Sequence, residues 1–367
     1  MYTAYYHLRE EPFRLTSDPR FFHLAEPHAA ALATLIEAVT RRKGIVVMSG
    51  HIGTGKTTVL HAALQILSEG AAIGGPIASA FILNPMLNRD EFLEMLINEF
   101  EIPCMGTGKP ARLSALQNLF LNMQRKGGTS VLLIDEAHLL SPEVLEEIRL
   151  LSNADTYQEK VLQIVLSGPP ELLGMLRRPE LSALKQRIAS SCLLRPLSFP
   201  ESRAYIAERM YAAGFRGTDY PFPSVALESI FRYTEGVPRL INLICDACLT
   251  IGFKTQRSLI QADVVEEAAI DLGMKKTAQI PAPEERPALG AGRGIRGEAT
   301  LESAVDVLIE AMKLRRASAG KKAMAAHAVQ DMVAAPEDGG DSSNLVMESA
   351  VDVLIEAMKL RRASVAE

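Results

Sequence analysis

The sequence has no apolar run long enough to cross a bilayer. Its longest mostly apolar stretch, Ala71 to Leu83, is broken by Gly74, Gly75 and Pro76 and falls short of the roughly 20 residues a membrane helix needs. Cysteine is scarce: Cys104, Cys192, Cys245 and Cys248 are scattered through segments patterned as helices or strands. That excludes a disulfide framework and fits a reducing compartment. Cys245 and Cys248 have redox or zinc spacing, but they fall mid-helix without a second pair, so core packing is their expected role. Met1 to Leu15 lack the apolar core of a secretion signal, so a cytoplasmic location is expected. An excess of positive charge is also missing. With 39 Lys and Arg against 44 Asp and Glu, the net charge is −5, which argues against a surface coated for duplex DNA.

What is present is enough apolar material for a full core, 48% of 367 residues, in one large domain, a smaller one and tails. Ala31, Leu32, Leu35, Ile36 and Val39 recur at helical spacing within Pro27–Val39. Short β-branched runs follow at Ile45–Met48, Ile77–Leu83, Val131–Ile134, Leu162–Leu166 and Cys192–Leu194, separated by helical patterns such as Glu91–Phe100 and Leu113–Gln124. This alternation predicts an α/β fold, a doubly wound parallel five-stranded sheet, and the nearly continuous apolar strands predict helices on both faces. After Pro196 the pattern is helical only: Glu201–Ala213, Ser224–Thr234, Arg239–Phe253 and Gln261–Leu272. The expected division is an α/β nucleotide-binding domain over 1–195, a small all-α lid over 196–273, a Pro/Gly/Ala/Arg-rich linker over 274–300 and a partly disordered helical tail over 301–367.

The tail contains an internal duplication: Glu302–Ser318 recurs unchanged as Glu348–Ser364. Each copy reads as a helix, with Leu301, Val305, Leu308 and Met312 on one face of the first. Acidic residues load its start and Lys313, Arg315 and Arg316 its end, as the helix dipole favours. Two such helices suit docking on a protein partner, or folding on themselves or on the body of the chain. The basic sequence before Ser318 and Ser364 is explained by the helix end, and Arg177-Arg178 reads as a solvated turn.

Ile45–Met48 runs into Gly50-His51-Ile52-Gly53-Thr54-Gly55-Lys56-Thr57-Thr58, and Val59–Leu67 continues as a helix. A G-x-x-x-x-G-K-T between a strand and a helix is a phosphate loop. Gly50, Gly53 and Gly55 let the backbone wrap the phosphates of ATP, with Thr54, Lys56 and Thr58 in the same cradle. Lys56 is expected to reach the β- and γ-phosphates and Thr57 to place its hydroxyl on Mg2+. Val131–Ile134 ends in Asp135-Glu136 at the edge where such sheets bind ligands. Asp135 is expected to hold the hydration shell of Mg2+, and Glu136 to orient the attacking water. For His138 a hydrogen-bonding role is expected. Arg187, just before the last strand, suits an arginine finger reaching into a neighbouring subunit. Arg239, opening a lid helix, suits folding back on the γ-phosphate.

Pro12-Phe13, Asp18-Pro19, the phosphate loop, Asp135-Glu136-Ala137-His138, Pro170-Glu171-Leu172, Gln186-Arg187-Ile188 and Gly236-Val237-Pro238-Arg239 occur in this order. Over roughly residues 2 to 273 the chain thereby resembles the ExeA/GspA family of AAA+ ATPases. The resemblance implies a ring or related homo-oligomer with nucleotide between subunits, Arg187 at the finger position and Arg239 at the sensor-2 position. Family members carry Gly-Gln-Pro-Glu-Leu where this chain has Gly168-Pro169-Pro170-Glu171-Leu172, which leaves Ser167 as the nearest polar substitute for the Gln. Secretion members look like this ATPase followed by a transmembrane segment and a periplasmic domain, a pattern this sequence does not show, and stand-alone relatives look like exosortase and exopolysaccharide ATPases. The expected function is ATP hydrolysis coupled to assembly of a secretion, envelope or polysaccharide-export machine. A DNA-dependent ATPase regulating transposition is the alternative. A DEAH-box helicase is disfavoured because a second sheet domain is missing, and a dead-site interaction protein because the site letters are complete.

Overall fold

The computed structural model describes residues 1–15, 25–68, 75–104, 106, 108–153, 160–217 and 219–276. The linker from 277 onward and both tail repeats, 302–318 and 348–364, lie outside the described residues, as does Asp18-Pro19.

Five strands form one sheet in the order β2-β3-β4-β1-β5: β1 Ile45–Gly50, β2 Ile77–Ile82, β3 Thr129–Ile134, β4 Leu162–Gly168 and β5 Ile188–Leu194. Every pairing is parallel, with Ile45 opposite Ile164 on one side and Ile188 on the other. The helices are α1 Tyr2–Tyr5, α2 Glu26–Thr40, α3 Lys56–Ser68, α4 Arg89–Glu99, α5 Lys109–Arg125, α6 Pro142–Leu151, α7 Glu171–Leu176 and α8 Ser182–Lys185. They continue after the sheet as α9 Phe199–Ala212, α10 Ser224–Thr234, α11 Pro238–Lys254 and α12 Ala262–Asp271.

Alternation along the strands separates the two faces. Val46, Met48, Val131, Leu133 and Val165 pack against Leu32 and Leu35 of α2 and Val59, Leu60 and Ala63 of α3. Ile45, Val47, Leu132, Ile134, Ile164 and Leu166 meet Phe92 and Leu96 of α4, Phe120 of α5 and Ile148 of α6 on the other side. Strands β1, β3 and β4 are buried throughout, as their unbroken apolar runs predict.

The edge strands depart from that expectation. β5 alternates between partly buried and exposed until Leu194, with Leu193 64% exposed, and it begins four residues before the predicted run. An edge strand needs only one covered face, so its first half can be Ala189, Ser190 and Ser191.

A third core joins α9 to α12 and includes Tyr2, Tyr6, Leu8, Phe13 and Ala25. The first residues thus pack with the helices that follow Pro196, although sequence alone groups them with the sheet. Arg209 on α9 holds this segment: its buried guanidinium donates to the carbonyls of Pro12 and Arg14. Tyr2 Oη donates to Asp246 on α11, and burial together with that carboxylate pushes the phenol pKa up.

Candidate nucleotide site

Strand β1 delivers Gly50 to the C-terminal edge of the sheet, and the chain turns through residues 51–55 before α3 starts at Lys56. Gly53 adopts φ +83°, and a Cβ there would lie 2.8 Å from Cβ of Arg239. Only glycine satisfies both the backbone and the close neighbour. The backbone amides of Gly53, Gly55, Lys56, Thr57 and Thr58 have no acceptor among the described residues. Helix starts leave amides unpaired by construction, and here the loop adds two more. The result is a concave set of N–H donors at a positive helix end, whose complement is an anion with several oxygens.

Lys56 is 5% exposed, and its ammonium donates to the carbonyls of Gly50 (2.9 Å) and His51 (3.2 Å). Burial lowers its pKa, while Glu136, Asp135 and Glu171 nearby oppose the shift. A buried ammonium surrounded by unpaired amides favours a polyanion such as a triphosphate.

Asp135 follows β3 directly at 2% exposure. Thr57 Oγ1 donates to its Oδ2 at 2.5 Å, while Ser167 Oγ and the Glu136 amide donate to Oδ1 at 2.9 and 3.0 Å. A threonine hydroxyl beside a carboxylate is a hard oxygen pair that fits Mg2+, an ion that keeps most of its waters. Among the described residues no cluster of three or more His, Cys, Asp and Glu could hold a metal. Glu136 follows with left-handed backbone (φ 47°), and its side chain is 40% exposed. The turn therefore sends the two carboxylates to different surroundings, one dry and one wet. His138 Nδ1 lies 3.4 Å from Glu136 Oε2 but makes no hydrogen bond, so the pair is an ion pair only when the imidazole is protonated.

The two arginines are placed differently. Gly236 has φ +76° and its amide carbonyl accepts from Leu197, with room for no side chain because a Cβ would sit 1.7 Å from the Leu197 carbonyl. This fixes Pro238 at the start of α11, and the Arg239 amide donates to the Gly53 carbonyl at 3.2 Å. The fold thus brings Arg239, exposed and with no side-chain partner among the described residues, against the phosphate loop. Arg187 is not brought there. It precedes Ile188, which pairs with Ile45 at the start of β1, whereas Gly50 pairs with Leu194 at the other end. Five strand residues, about 17 Å, separate the two levels. The Arg187 guanidinium makes no ion pair or hydrogen bond among the described residues.

Two contacts escaped the sequence reading. His28, 4% exposed on α2, places Nε2 2.9 Å from the Thr54 carbonyl and ties the leading helix to the loop. Nothing in a helical apolar pattern marks such a residue. Ser167, noted in sequence only as a polar substitute, proves to be fully buried and bonded to Asp135.

A profile of the AAA domain matches residues 39–176. General secretion pathway protein A of Aeromonas hydrophila is 38% identical over 266 residues, covering 72% of this chain and 47% of that protein. The chain therefore spans about half the length of this relative. Among solved structures, the Aeropyrum pernix ORC2 protein in ADPNP-ADP complexes aligns with a TM-score of 0.54 at 18% identity, over 71% of each chain. Drosophila ORC bound to DNA aligns with a TM-score of 0.56 at 17% identity, over 72% of this chain and 65% of that one. These two show the fold. Among the described residues no helix is long and apolar enough to cross a membrane. With the loop, the acidic pair, the strand order and the similarity over residues beyond the AAA match all agreeing, the chain carries a nucleotide-binding P-loop domain of the AAA+ class and is similar to General secretion pathway protein A.

Proposed function

We propose that this protein hydrolyses ATP to ADP and phosphate, and that the reaction drives changes in an oligomer that assembles a secretion, envelope or polysaccharide-export machine. The observation that carries the reading is the convergence on Asp135 of the Thr57 and Ser167 hydroxyls beside the buried Lys56. The amides of Gly53, Gly55, Lys56, Thr57 and Thr58 bind the phosphates, with Gly50 and Thr54 shaping the turn and Lys56 neutralising the β- and γ-oxygens. Thr57 and Asp135 hold the side of the site where Mg2+ fits. Bound Mg2+ supplies charge neutralisation on the phosphate oxygens. Glu136, in the wetter position, orients a water and accepts its proton. Arg239 stabilises phosphate charge from within the chain. Arg187, about 17 Å along the strand direction from its own loop, acts on a neighbouring subunit and makes the competent unit an oligomer. Functionally, 1–195 serves as the nucleotide-binding domain, 196–273 as the lid, 274–300 as linker and 301–367 as the tail that docks a protein partner.

The test is steady-state phosphate release with Mg2+ and ATP, comparing the wild type with Glu136→Gln. The variant is expected to bind ATP but turn over at least about a hundredfold more slowly, the usual scale for a lost general base. Equal rates would remove Glu136 from the reaction. Duplex DNA at low salt is expected to leave the wild-type rate unchanged, and marked stimulation would favour the transposition-type alternative.

A further inference from the structure

Outside the nucleotide site, α9 and the start of α10 line a groove of about 560 Å³. Its lining is aromatic and proline-rich: Tyr211, Tyr220, Phe222 and Pro223, with Arg203 at the rim. Tyr211 and Tyr220 stack with ring centroids 6.4 Å apart, and Tyr211 stays 53% exposed. The Tyr220 hydroxyl has no hydrogen-bond partner among the described residues, and burial pushes its pKa up. Arg203 lies over the Phe199 ring at 5.8 Å and makes no ion pair among the described residues.

Flat aromatic walls with a free hydroxyl suit an extended proline-containing peptide, whose carbonyls lack internal hydrogen bonds. Arg203 adds a preference for an acidic residue beside the prolines. The sequence contains such a segment: Pro281-Ala282-Pro283-Glu284-Glu285. The described residues end at Lys276, whose ammonium pairs with Glu266 and lies 5.7 Å from the Tyr233 ring on α10. From Tyr233 back to Leu227 in the groove lining is six helical residues, about 9 Å. Thr277 to Pro281 in a polyproline conformation spans about 15 Å. About 15 Å of chain exceeds about 9 Å of helix, so the first proline reaches the Leu227 side of the groove.

We propose that the Pro281–Glu285 segment of this chain docks in the Tyr211/Tyr220 groove, with its prolines on the rings and Glu284 or Glu285 on Arg203. Docking fixes the point from which the duplicated tail leaves the lid helices. This inference holds whether or not the nucleotide is hydrolysed.

The test uses the full chain carrying the photo-cross-linker p-benzoylphenylalanine at Ala204, an exposed position lining the groove. Illumination is expected to give a cross-link to residues 278–288 of the same chain, identified by mass spectrometry of mixed heavy and light protein. Arg203→Glu should lower the yield about fivefold, the scale of one well-placed exposed ion pair. Adding Glu284→Arg and Glu285→Arg should restore it. Cross-links only between heavy and light chains would give the groove to a second copy and overturn the proposal. Cross-links to other segments, no cross-link, or a yield indifferent to both charge reversals would overturn it as well.

Discussion

Thr54, Lys56, Asp135 and Ser167 are each 5% exposed or less, and each makes a side-chain hydrogen bond within this region. Arg187 and Arg239 belong to the same proposed site, yet their guanidinium groups have no partner among the described residues. In the proposed site, the groups assigned to phosphate and metal are thus locked by burial and hydrogen bonds. Groups that would answer to the nucleotide are left to be recruited. Preorganised donors lose little entropy on binding, whereas a free arginine can report whether a subunit or a lid has closed.

Removing the locked cation should have the largest effect. Lys56→Ala is expected to abolish ATP binding in a calorimetric titration while the far-ultraviolet circular dichroism stays unchanged, and retained affinity would show that the buried ammonium is not the phosphate anchor. The free half comes next. Arg187→Ala should keep ATP affinity but cut turnover by about a thousandfold, the lower range for an arginine finger. Mixing it with Lys56→Ala subunits should restore part of the activity, because each mixed interface can combine one intact loop with one intact arginine. A mixture as inactive as its parents would place Arg187 outside the shared site. The smallest effect tests the lock itself. Ser167→Ala removes one donor from a buried carboxylate and should cost about 1.5–3 kcal/mol in denaturant unfolding, against no change for an exposed arginine such as Arg239→Ala. Equal stability of Ser167→Ala and wild type would mean that Asp135 is held by Thr57 and the Glu136 amide alone.

The central strands were legible because β1, β3 and β4 carry unbroken apolar runs that a two-sided parallel sheet requires. The phosphate loop was legible because its letters fall between a strand and a helix. The beginning of β5 was not, since Ala189, Ser190 and Ser191 form an edge whose outward residues face water. Nor was the role of His28: a side chain pointing from a helix to one carbonyl leaves no periodic trace. The Asp135–Ser167 bond joins neighbouring strands through register, Ile134 opposite Leu166, which a linear reading does not contain. Arg187 illustrates the converse. Sequence placed it correctly before the last strand, but only the parallel pairing reveals that it lies at the far end from its own loop.

The packing of Tyr2, Tyr6 and Phe13 against α9 to α12 has a consequence for biosynthesis. Tyr2 meets Asp246 across 244 positions of chain, so these aromatic residues leave the ribosome long before their partners are made. At roughly 5–20 residues added per second, those rings stay solvated for something on the order of ten seconds or more, and α9 to α12 cannot close their core until Tyr2, Tyr6 and Phe13 return to them.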